Sequence, residues 1–321
     1  MRIALRITFL AALMLAAGAS AQPYPSRPVR FIVPFPAGGA TDIISRSIGS
    51  KVGAALGQQF VIDNRAGGGQ KIGTELAARA APDGYTILLV SITHSINPGL
   101  YAKMPYNTIK DFSPITIAAR SPLVVVVHPS VPAKSVKELI ALMKAQPGKL
   151  NTATSGIGSG GHLAAELFNS MAGVRMTFVP YKGGSLAYVD LIAGQVDLMF
   201  TSPTPTLSYA KAGKLRVLAT TGAKRSPATP ELPTVAEAAG FRGYEASLWY
   251  GVVAPYGTPR EIVRLLNAEI VKALQFPDVR DPLAAQAVET TSSTPEEFSM
   301  HIQSEIAKWS KVIKDGNIRA D

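Results

Sequence analysis

Short apolar runs rich in β-branched residues recur along this chain, and stretches of helical character separate them. The runs are almost continuously apolar, as strands buried on both faces of a parallel sheet are. The candidate strands span residues 29–33, 60–63, 86–90, 123–128, 175–179, 196–200, 215–220 and 250–254. This alternation predicts an α/β fold with parallel-rich sheets.

The segments between the runs carry helix start signals. Ser135 and Thr234 are each followed three residues later by glutamate, which is the capping-box pattern. Pro259 and Pro295 each follow a threonine, where proline suits the first helical position. These signals place helix starts directly after turns, so the intervening segments are predicted to be helices.

Residues 1–21 have the pattern of a cleavable secretory signal. Arg2 and Arg6 give a charged start, residues 7–17 are apolar, and the segment ends on Ala-Ser-Ala, which suits a signal peptidase. A membrane anchor is the alternative, but the apolar stretch is shorter than the roughly 20 residues that span a bilayer. We therefore expect cleavage after Ala21 and a soluble mature protein in the periplasm.

Composition excludes several classes of protein. The chain of 321 residues has no cysteine, so lipidation at cysteine, disulfides, thiolate nucleophiles and zinc–thiolate sites are ruled out. Its mature part of roughly 300 residues favours two domains over one. The formal net charge of +10 is spread along the chain without a basic run interleaved with aromatics, so nucleic-acid binding is not expected.

Two extended apolar segments far apart in sequence suggest how the chain is divided. They span residues 122–128 and 248–254. If both cross between domains, a first lobe contains residues 22–121 and 249–321, and a second lobe contains residues 122–248. A double crossing permits hinge closure, because few residues must absorb the rotation.

Ligands of open α/β sheets bind beyond the carboxyl ends of strands, where turns lead into helices. Four glycine-containing turns qualify, and we number them in chain order as loop 1 (residues 34–42), loop 2 (64–70), loop 3 (154–162) and loop 4 (179–185). Glycine lets the backbone approach a ligand closely, and free N–H groups at a helix start favour an anion. Loops 1 and 3 therefore predict a carboxylate site built largely from main-chain groups.

Several side chains in or near these loops have two possible roles. Thr41 and Asp42 are candidates for ligand contact, but either could instead cap the helix that follows loop 1. His94 and His162 each follow a strand and could face a cleft, and the alternative for each is capping or packing.

The motifs typical of enzymes and of cofactor sites are each incomplete in this sequence. Gly156, Gly158 and Gly161 satisfy the dinucleotide pattern, but no acid follows at the spacing that ribose binding requires. Ile157 replaces the glycine that a nucleophile elbow needs before Ser159. The four histidines form no tight metal-binding pair. We predict no catalysis, no cofactor and no metal; an exported α/β hydrolase, which would need a nucleophile–base pair, is the less favoured alternative.

A series of short motifs carries a family resemblance. They include Val-Pro-Phe-Pro-Ala-Gly-Gly-Ala-Thr-Asp at 33–42, Pro-Asp-Gly-Tyr-Thr at 82–86, Val-Pro-Tyr-Lys-Gly at 179–183, Gly-Gln-Val-Asp-Leu-Met-Phe at 194–200 and Pro-Thr-Val-Ala-Glu at 233–237. In this order they resemble the Bug family, the substrate-binding subunits of tripartite tricarboxylate transporters. The resemblance covers essentially the whole mature chain. It implies a type II periplasmic-binding-protein fold, with two Rossmann-like lobes around a central cleft.

The resemblance also implies a function without catalysis. The ligand would be a small carboxylated metabolite, such as a di- or tricarboxylate, an amino acid or an aromatic acid. Lobe closure would capture it for delivery to the membrane permease subunits of a tripartite tricarboxylate-type transporter. We expect a monomer. A subunit that presents its ligand to a membrane receptor is the alternative, because the docking surface has no readable motif.

The candidate site combines positions that match the family's loops with positions taken from the strand ends and glycine turns of this sequence. The predicted ligand-binding residues are Phe35, Ala37, Gly38, Gly39, Thr41, Asp42, Thr93, His94, Ser155, Gly156, Gly158, Ser159, His162, Tyr181, Lys182 and Thr201. The resemblance implies that Asp42 holds a bridging water and does not touch the ligand. Tyr181 is predicted to form a wall of the cleft, and Lys182 to supply a positive charge there. The alternative is that the Tyr181 ring lies at the edge of the core and that the Lys182 amine is in solvent. Relatives often carry an acid where Thr201 stands, and its loss favours a more anionic ligand or one without an ammonium group.

Overall fold

The structure is a computed structural model that describes residues 24–320. The predicted signal peptide and its cleavage site after Ala21 lie outside the described residues. Across residues 24–320, none of the helices combines the length and the apolar character needed to cross a membrane.

The described residues form eleven strands in two separate sheets. The strands are β1 (Val29–Val33), β2 (Phe60–Asn64), β3 (Thr86–Ser91), β4 (Phe112–Pro122), β5 (Val124–Val127), β6 (Asn151–Thr154), β7 (Thr177–Pro180), β8 (Leu198–Thr201), β9 (Arg216–Thr220), β10 (Ser247–Pro255) and β11 (Glu289–Thr290). One sheet has the order β11-β4-β10-β3-β1-β2, and the other has the order β7-β6-β8-β5-β9.

Eleven α-helices connect and cover these sheets within the described residues. They are α1 (Ala40–Leu56), α2 (Lys71–Ala78), α3 (Thr93–Leu100), α4 (Val136–Ala145), α5 (Gly160–Ala172), α6 (Gly184–Ile192), α7 (Pro203–Lys211), α8 (Val235–Ala239), α9 (Arg260–Ala273), α10 (Pro277–Ala284) and α11 (Pro295–Asp315). The α/β class predicted from the alternating pattern is confirmed.

The chain leaves the six-stranded sheet after β4 and returns to it at β10, and we call the parts built on the six- and five-stranded sheets the first and second lobes. Strands β1, β2 and β3 are parallel, whereas β10 is antiparallel to both β3 and β4. A strand that re-enters from the other lobe begins at the end of the sheet where β4 leaves, so it runs in the opposite direction. The sheets are therefore mixed and not purely parallel.

Apolar strands fill the core of each lobe, and one buried cluster joins the lobes. All four valines of β5 are buried, as are Phe31 and Ile32 of β1. The joining cluster includes Trp309 of α11, Trp249 of β10 and Phe168 of α5. Helix α11 thus packs against both lobes and, through Phe298 and Glu305, against Trp249 of the strand that returns between them.

The helix start signals act largely as predicted. Thr234 and Thr294 form complete capping boxes, and Ser135 accepts the N–H of the third residue of its helix. Thr258 behaves differently: its hydroxyl donates to the carbonyl of Pro255, and the helix begins two residues later. Side-chain capping therefore fixes three of the four helix starts that the sequence signals predicted.

Glu305, buried on α11, binds that helix to the returning strand. Its Oε2 accepts the indole N–H of Trp249 at 3.0 Å and that of Trp309 at 2.8 Å. Its Oε1 pairs with Lys308, whose amine also donates to the carbonyl of Glu245 in the second lobe. A buried carboxylate is tolerated because it is paired and hydrogen-bonded. The network therefore fixes β10 against α11 close to the crossing.

Replacing Glu305 with leucine should lower the free energy of unfolding by about 3 kcal/mol, because two buried indole donors and one lysine lose their acceptor. Urea denaturation followed by fluorescence measures this loss. Glu305→Gln, which keeps one acceptor oxygen, should lose less. Gln303→Leu, an exposed change on the same helix, is the control. A Glu305→Leu variant as stable as the wild type would show that the network does not stabilise the crossing.

Candidate functional site

Loops 1 and 3 share one geometry, with one example in each lobe. Gly38, at φ +88°, donates its N–H to Asp42 Oδ2 at 3.0 Å. Gly158, at φ +73°, donates its N–H to His162 Nδ1 at 3.0 Å. In each case the acceptor is the third residue of the following helix, α1 or α5. Both helix starts are therefore shaped by a glycine that binds a side chain four residues on.

This geometry leaves the first two N–H groups of each helix without an intrahelical acceptor. The four residues are Ala40, Thr41, Gly160 and Gly161. Gly39 caps α1 with no side chain, whereas Ser159 caps α5 by accepting the N–H of His162. The positive end of each helix dipole reinforces these donors, so both starts can bind an anion.

Asp42 is an internal brace of loop 1. Besides the N–H of Gly38, its carboxylate accepts the side-chain amide of Asn64 at 3.1 Å and Nε of Arg46 at 2.9 Å. The hydrogen bond and charge of Arg46 hold the pKa of Asp42 below its usual value. The carboxylate is buried and already accepts hydrogen bonds from three donors, so its role is to hold the shape of loop 1.

His162 braces loop 3 in the same way. Because its Nδ1 accepts the N–H of Gly158, the neutral ring must carry its hydrogen on Nε2. Burial lowers the pKa of His162 to about 4, and the ring packs edge-on against Phe178. Its Nε2 is 3.9 Å from the carboxyl group of Glu166, too far for a hydrogen bond. His162 therefore has the packing and capping role, which was the alternative to ligand contact.

His94 lies in the core of the first lobe and does not face the cleft. Its ring packs against Tyr106 and Phe112, with centroid separations of 6.2 and 5.1 Å. Neither ring nitrogen has a hydrogen-bond partner among the described residues, and burial lowers the pKa of His94 to about 4. Helix α3 is covered by α11, so its second residue points inward. The expected ligand contact by His94 is therefore replaced by packing, while neighbouring Thr93 is half-buried at the helix start.

A cavity of about 700 Å³ opens on the second lobe where α5, α6 and α7 begin. Its polar lining includes Ser155, Gly160, Gly161, Gly184, Ser185, Tyr188, Thr201 and Ser202. Leu123 and Leu248, from the two segments that cross between the lobes, also line it. Three helix starts thus point their positive ends at one cavity beside the crossing.

Of the predicted residues, Ser155 and Thr201 line this cavity, and five lining residues at helix starts were missed. Gly160, Gly161, Gly184 and Ser185 are the first two residues of α5 and α6, and Ser202 is the N-cap of α7. The signal that could have found the first four is the unpaired N–H of a first or second helical residue. Residues 24–320 contain no cluster of three His, Asp or Glu side chains suited to a metal ion.

Loop 4 turns its predicted side chains away from the cavity. The hydroxyl of Tyr181 donates to Asp190 Oδ2 at 2.6 Å, and burial and that carboxylate raise the pKa of Tyr181 to about 12. Lys182 is exposed to solvent. Neither side chain is part of the cavity lining in the described chain.

Loops 1 and 3 differ in what lies in front of them. A methyl group at Gly38 or Gly39 would meet no atom within 4 Å, and Ala37 is exposed while Phe35 packs against the first-lobe core. A methyl group at Gly158 would lie 2.4 Å from Leu100 of the first lobe. Loop 3 therefore touches the opposite lobe, whereas loop 1 faces open space outside the cavity.

The remaining loop 3 positions support the turn. Gly156, at φ +142°, lies beside the carbonyl of Tyr181, and a methyl group there would approach that oxygen to 3.7 Å. A methyl group at Gly161 would lie only 2.2 Å from the carbonyl oxygen of Phe200. Glycine at 161 thus permits the close approach of α5 to β8, which exposes the start of α5 to the cavity.

Known proteins share this architecture. A family model described as the tripartite tricarboxylate transporter family receptor matches residues 44–318. BugT of Bordetella pertussis is 39% identical over 309 residues, which cover 96% of this chain and 94% of BugT. The R. palustris protein Rpa4515, solved with adipate, has a TM-score of 0.77 and 38% identity over 92% of this chain and 99% of its own. MatC of Rhodopseudomonas palustris, solved with bound malate, has a TM-score of 0.73 and 32% identity over 90% and 100%.

The buried histidines predict that the protein loses stability in mild acid. Burial lowers the pKa of His94, His162 and His301 to about 4, whereas an unfolded histidine titrates near 6.5. The unfolded chain therefore takes up protons first, and stability that is complete above pH 6.5 falls as the pH drops towards 4. His94→Leu should show a smaller fall in Tm between pH 7 and pH 5 than the wild type or the control His128→Gln. An equal fall in Tm for His94→Leu and the wild type would contradict the assignment of His94 as a buried, neutral side chain.

Proposed function

The chain belongs to the tripartite tricarboxylate transporter receptor family, and from this premise we propose that it captures a small carboxylate between its lobes for delivery to the permease subunits of such a transporter. It is a periplasmic solute-binding protein, and its family and fold are those of binding proteins and not of enzymes. The proposal concerns the ligand, the way it is held and the transporter that receives it.

The observation that carries the proposal is the pair of matching helix starts, one in each lobe. Ala40 and Thr41 offer free N–H groups in the first lobe, and Gly160 and Gly161 offer them in the second. A carboxylate has enough lone pairs to accept from both starts at once. Because loop 1 faces open space and lies outside the cavity, both starts can grip one ligand only after the lobes move together. Closure then follows from contacts that the open form lacks.

The solved relatives support the choice of ligand class. Rpa4515 was solved with adipate and MatC with malate, and both molecules are small carboxylates. Recognition through main-chain donors lets one scaffold accept different acids, because each N–H donor contacts only the carboxylate and not the rest of the ligand. The remaining lining of the cavity then selects among acids.

Export and assembly belong to the same proposal. Residues 1–21 would direct secretion to the periplasm and be removed after Ala21, on the strength of the charged, apolar and small-residue pattern. The mature protein would work as a monomer, with its lobes hinged at the two crossing segments.

A thermal-shift screen of the purified mature protein against small organic acids tests this function. An acid present at 100 times its Kd should add about 2.7 kcal/mol of apparent stability. The primary amide of the same acid should add much less, because it lacks the negative charge that the helix starts attract. A panel of acids in which none stabilises the protein more than its amide would contradict carboxylate capture.

Gly39→Leu tests the first helix start without disturbing the fold. Residue 39 has φ −85°, and a methyl group there meets nothing within 4 Å, so a side chain is accommodated. Leucine should cover the N–H groups of α1 and weaken acid binding at least about tenfold, or about 1.4 kcal/mol, by isothermal titration calorimetry. Ala55→Leu, an exposed change on the same helix, is the control. Unchanged affinity in Gly39→Leu would exclude loop 1 from the site.

A further inference from the structure

The two lobes repeat one arrangement of strands and turns. In the first lobe β1 lies between β2 and β3, and in the second lobe β6 lies between β7 and β8, with all of these pairs parallel. The chain therefore leaves β1 or β6 towards one side of its sheet and comes back on the other side. Ligands of such sheets bind at this switch point, beyond the carboxyl ends of the first and third strands.

In the second lobe the switch point is the cavity already described. Ser155 follows β6, Ser202 follows β8, and the start of α6 reaches the cavity from β7. The first-lobe counterparts are loop 1 after β1, Ser91 at the end of β3, and the start of α2 after β2. Loop 1 belongs to the proposed function, whereas the other two elements have no role in it.

Gln70, the N-cap of α2, has an unfavourable backbone conformation. Its φ of +72° lies in the left-handed region, which side chains rarely adopt and which glycine adopts at little cost. Residues 67–69 directly before it are all glycine. A strained residue that is kept at the edge of a ligand cleft indicates that its side chain has a use there.

The side chain of Gln70 reaches the end of β3. The hydroxyl of Ser91 donates to Gln70 Oε1 at 3.1 Å, and the same hydroxyl oxygen accepts the N–H of Thr93 at 3.3 Å. The Gln70 side chain is half-buried, and within residues 24–320 its Nε2 donates to no other group. Because Oε1 is occupied, the amide presents only its two N–H donors to a ligand.

This end of β3 lies against the second lobe. A methyl group at Gly160, the first residue of α5, would lie 4.0 Å from Ile92, which stands between Ser91 and Thr93. The neighbouring Lys71 extends elsewhere, because its amine lies 3.4 Å from the ring centroid of Tyr101, beyond the far end of α3. Gln70 is therefore bonded to a residue directly beside the contact with an anion-binding helix start.

We infer that Gln70 is a specificity-determining residue, and that its side-chain amide donates to a second oxygen-bearing group of the ligand. The inference rests on the proposed function, in which one carboxylate accepts the four N–H groups of Ala40, Thr41, Gly160 and Gly161. A carboxylate has about four lone-pair sites, so these donors fill them. The amide of Gln70 then requires an acceptor elsewhere on the ligand, such as a second carboxylate, a hydroxyl or a keto oxygen.

Calorimetric titration of the wild type and Gln70→Gly tests the inference. The probes are the straight-chain dicarboxylates from succinate to adipate, each matched with the monocarboxylate of the same length. Glycine adopts φ +72° without strain, so the variant keeps the turn. The dicarboxylate that the wild type binds most tightly should bind Gln70→Gly at least about tenfold more weakly, whereas its matched monocarboxylate should change by less than about twofold.

The other outcomes separate the inference from the proposed function. An equal loss for both members of a pair would show that Gln70 only supports the loop, and unchanged dicarboxylate binding would remove it from the site. A wild type that binds monocarboxylates at least as tightly as dicarboxylates would show that no second group is bound. Each of these results overturns the inference while the proposed function stands. A wild type that binds none of the acids would overturn both.

Gln70→Glu separates the donor from the shape of the side chain. Glutamate can still accept from Ser91, but an acceptor oxygen and a negative charge replace the two N–H donors. Dicarboxylate binding should therefore fall further than in Gln70→Gly, because repulsion adds to the lost hydrogen bond. Gln59→Glu makes the same change at an exposed position before β2, at the opposite end of that strand from loop 2, and should change affinity by less than about twofold.

Circular dichroism and Tm check that both glutamate variants fold. A folded Gln70→Glu protein that binds the dicarboxylate as tightly as the wild type does would contradict the role of the amide as a donor.

Discussion

A main-chain N–H that binds a side chain four residues further on is the contact on which the site depends. It occurs once in each lobe, from Gly38 to Asp42 and from Gly158 to His162. Each bond occupies a glycine N–H that would otherwise be free to bind a ligand, and each aligns the helix start that follows. The acceptors differ in charge, because Asp42 is an anion paired with Arg46 and His162 is a buried neutral ring. The donors that remain free are nevertheless alike, which suits one carboxylate shared between two lobes.

The connection between the lobes explains how such sharing is possible. The chain crosses after β4 and again at β10, and α11 packs against both lobes and fixes β10 through Glu305. The crossing segments supply Leu123 and Leu248 to the cavity, so the cavity lies beside both connections between the lobes.

Local sequence signals predicted much of the fold, because capping and strand burial are decided by near neighbours. The apolar run of β1, the capping boxes at Thr234 and Thr294 and the glycine turns could all be located in the sequence. The inward direction of His94 could not, because it depends on α11 covering α3 from about 200 residues away. Pattern alone also placed Gly158 among the ligand donors, but the ring of His162 takes its N–H. The free donors of Gly160 and Gly161 become evident only once that bond is located.

Amide NMR of the isotope-labelled protein, titrated with a binding acid, tests directly whether both helix starts grip one carboxylate. The account predicts that the amide protons of Ala40, Thr41, Gly160 and Gly161 move downfield together and saturate at one equivalent, since each gains an anionic acceptor. The amides of Gly38 and Gly158, already bound to Asp42 and His162, should move far less. Saturable binding that shifts the amides of one loop only, or of neither, would contradict the shared grip.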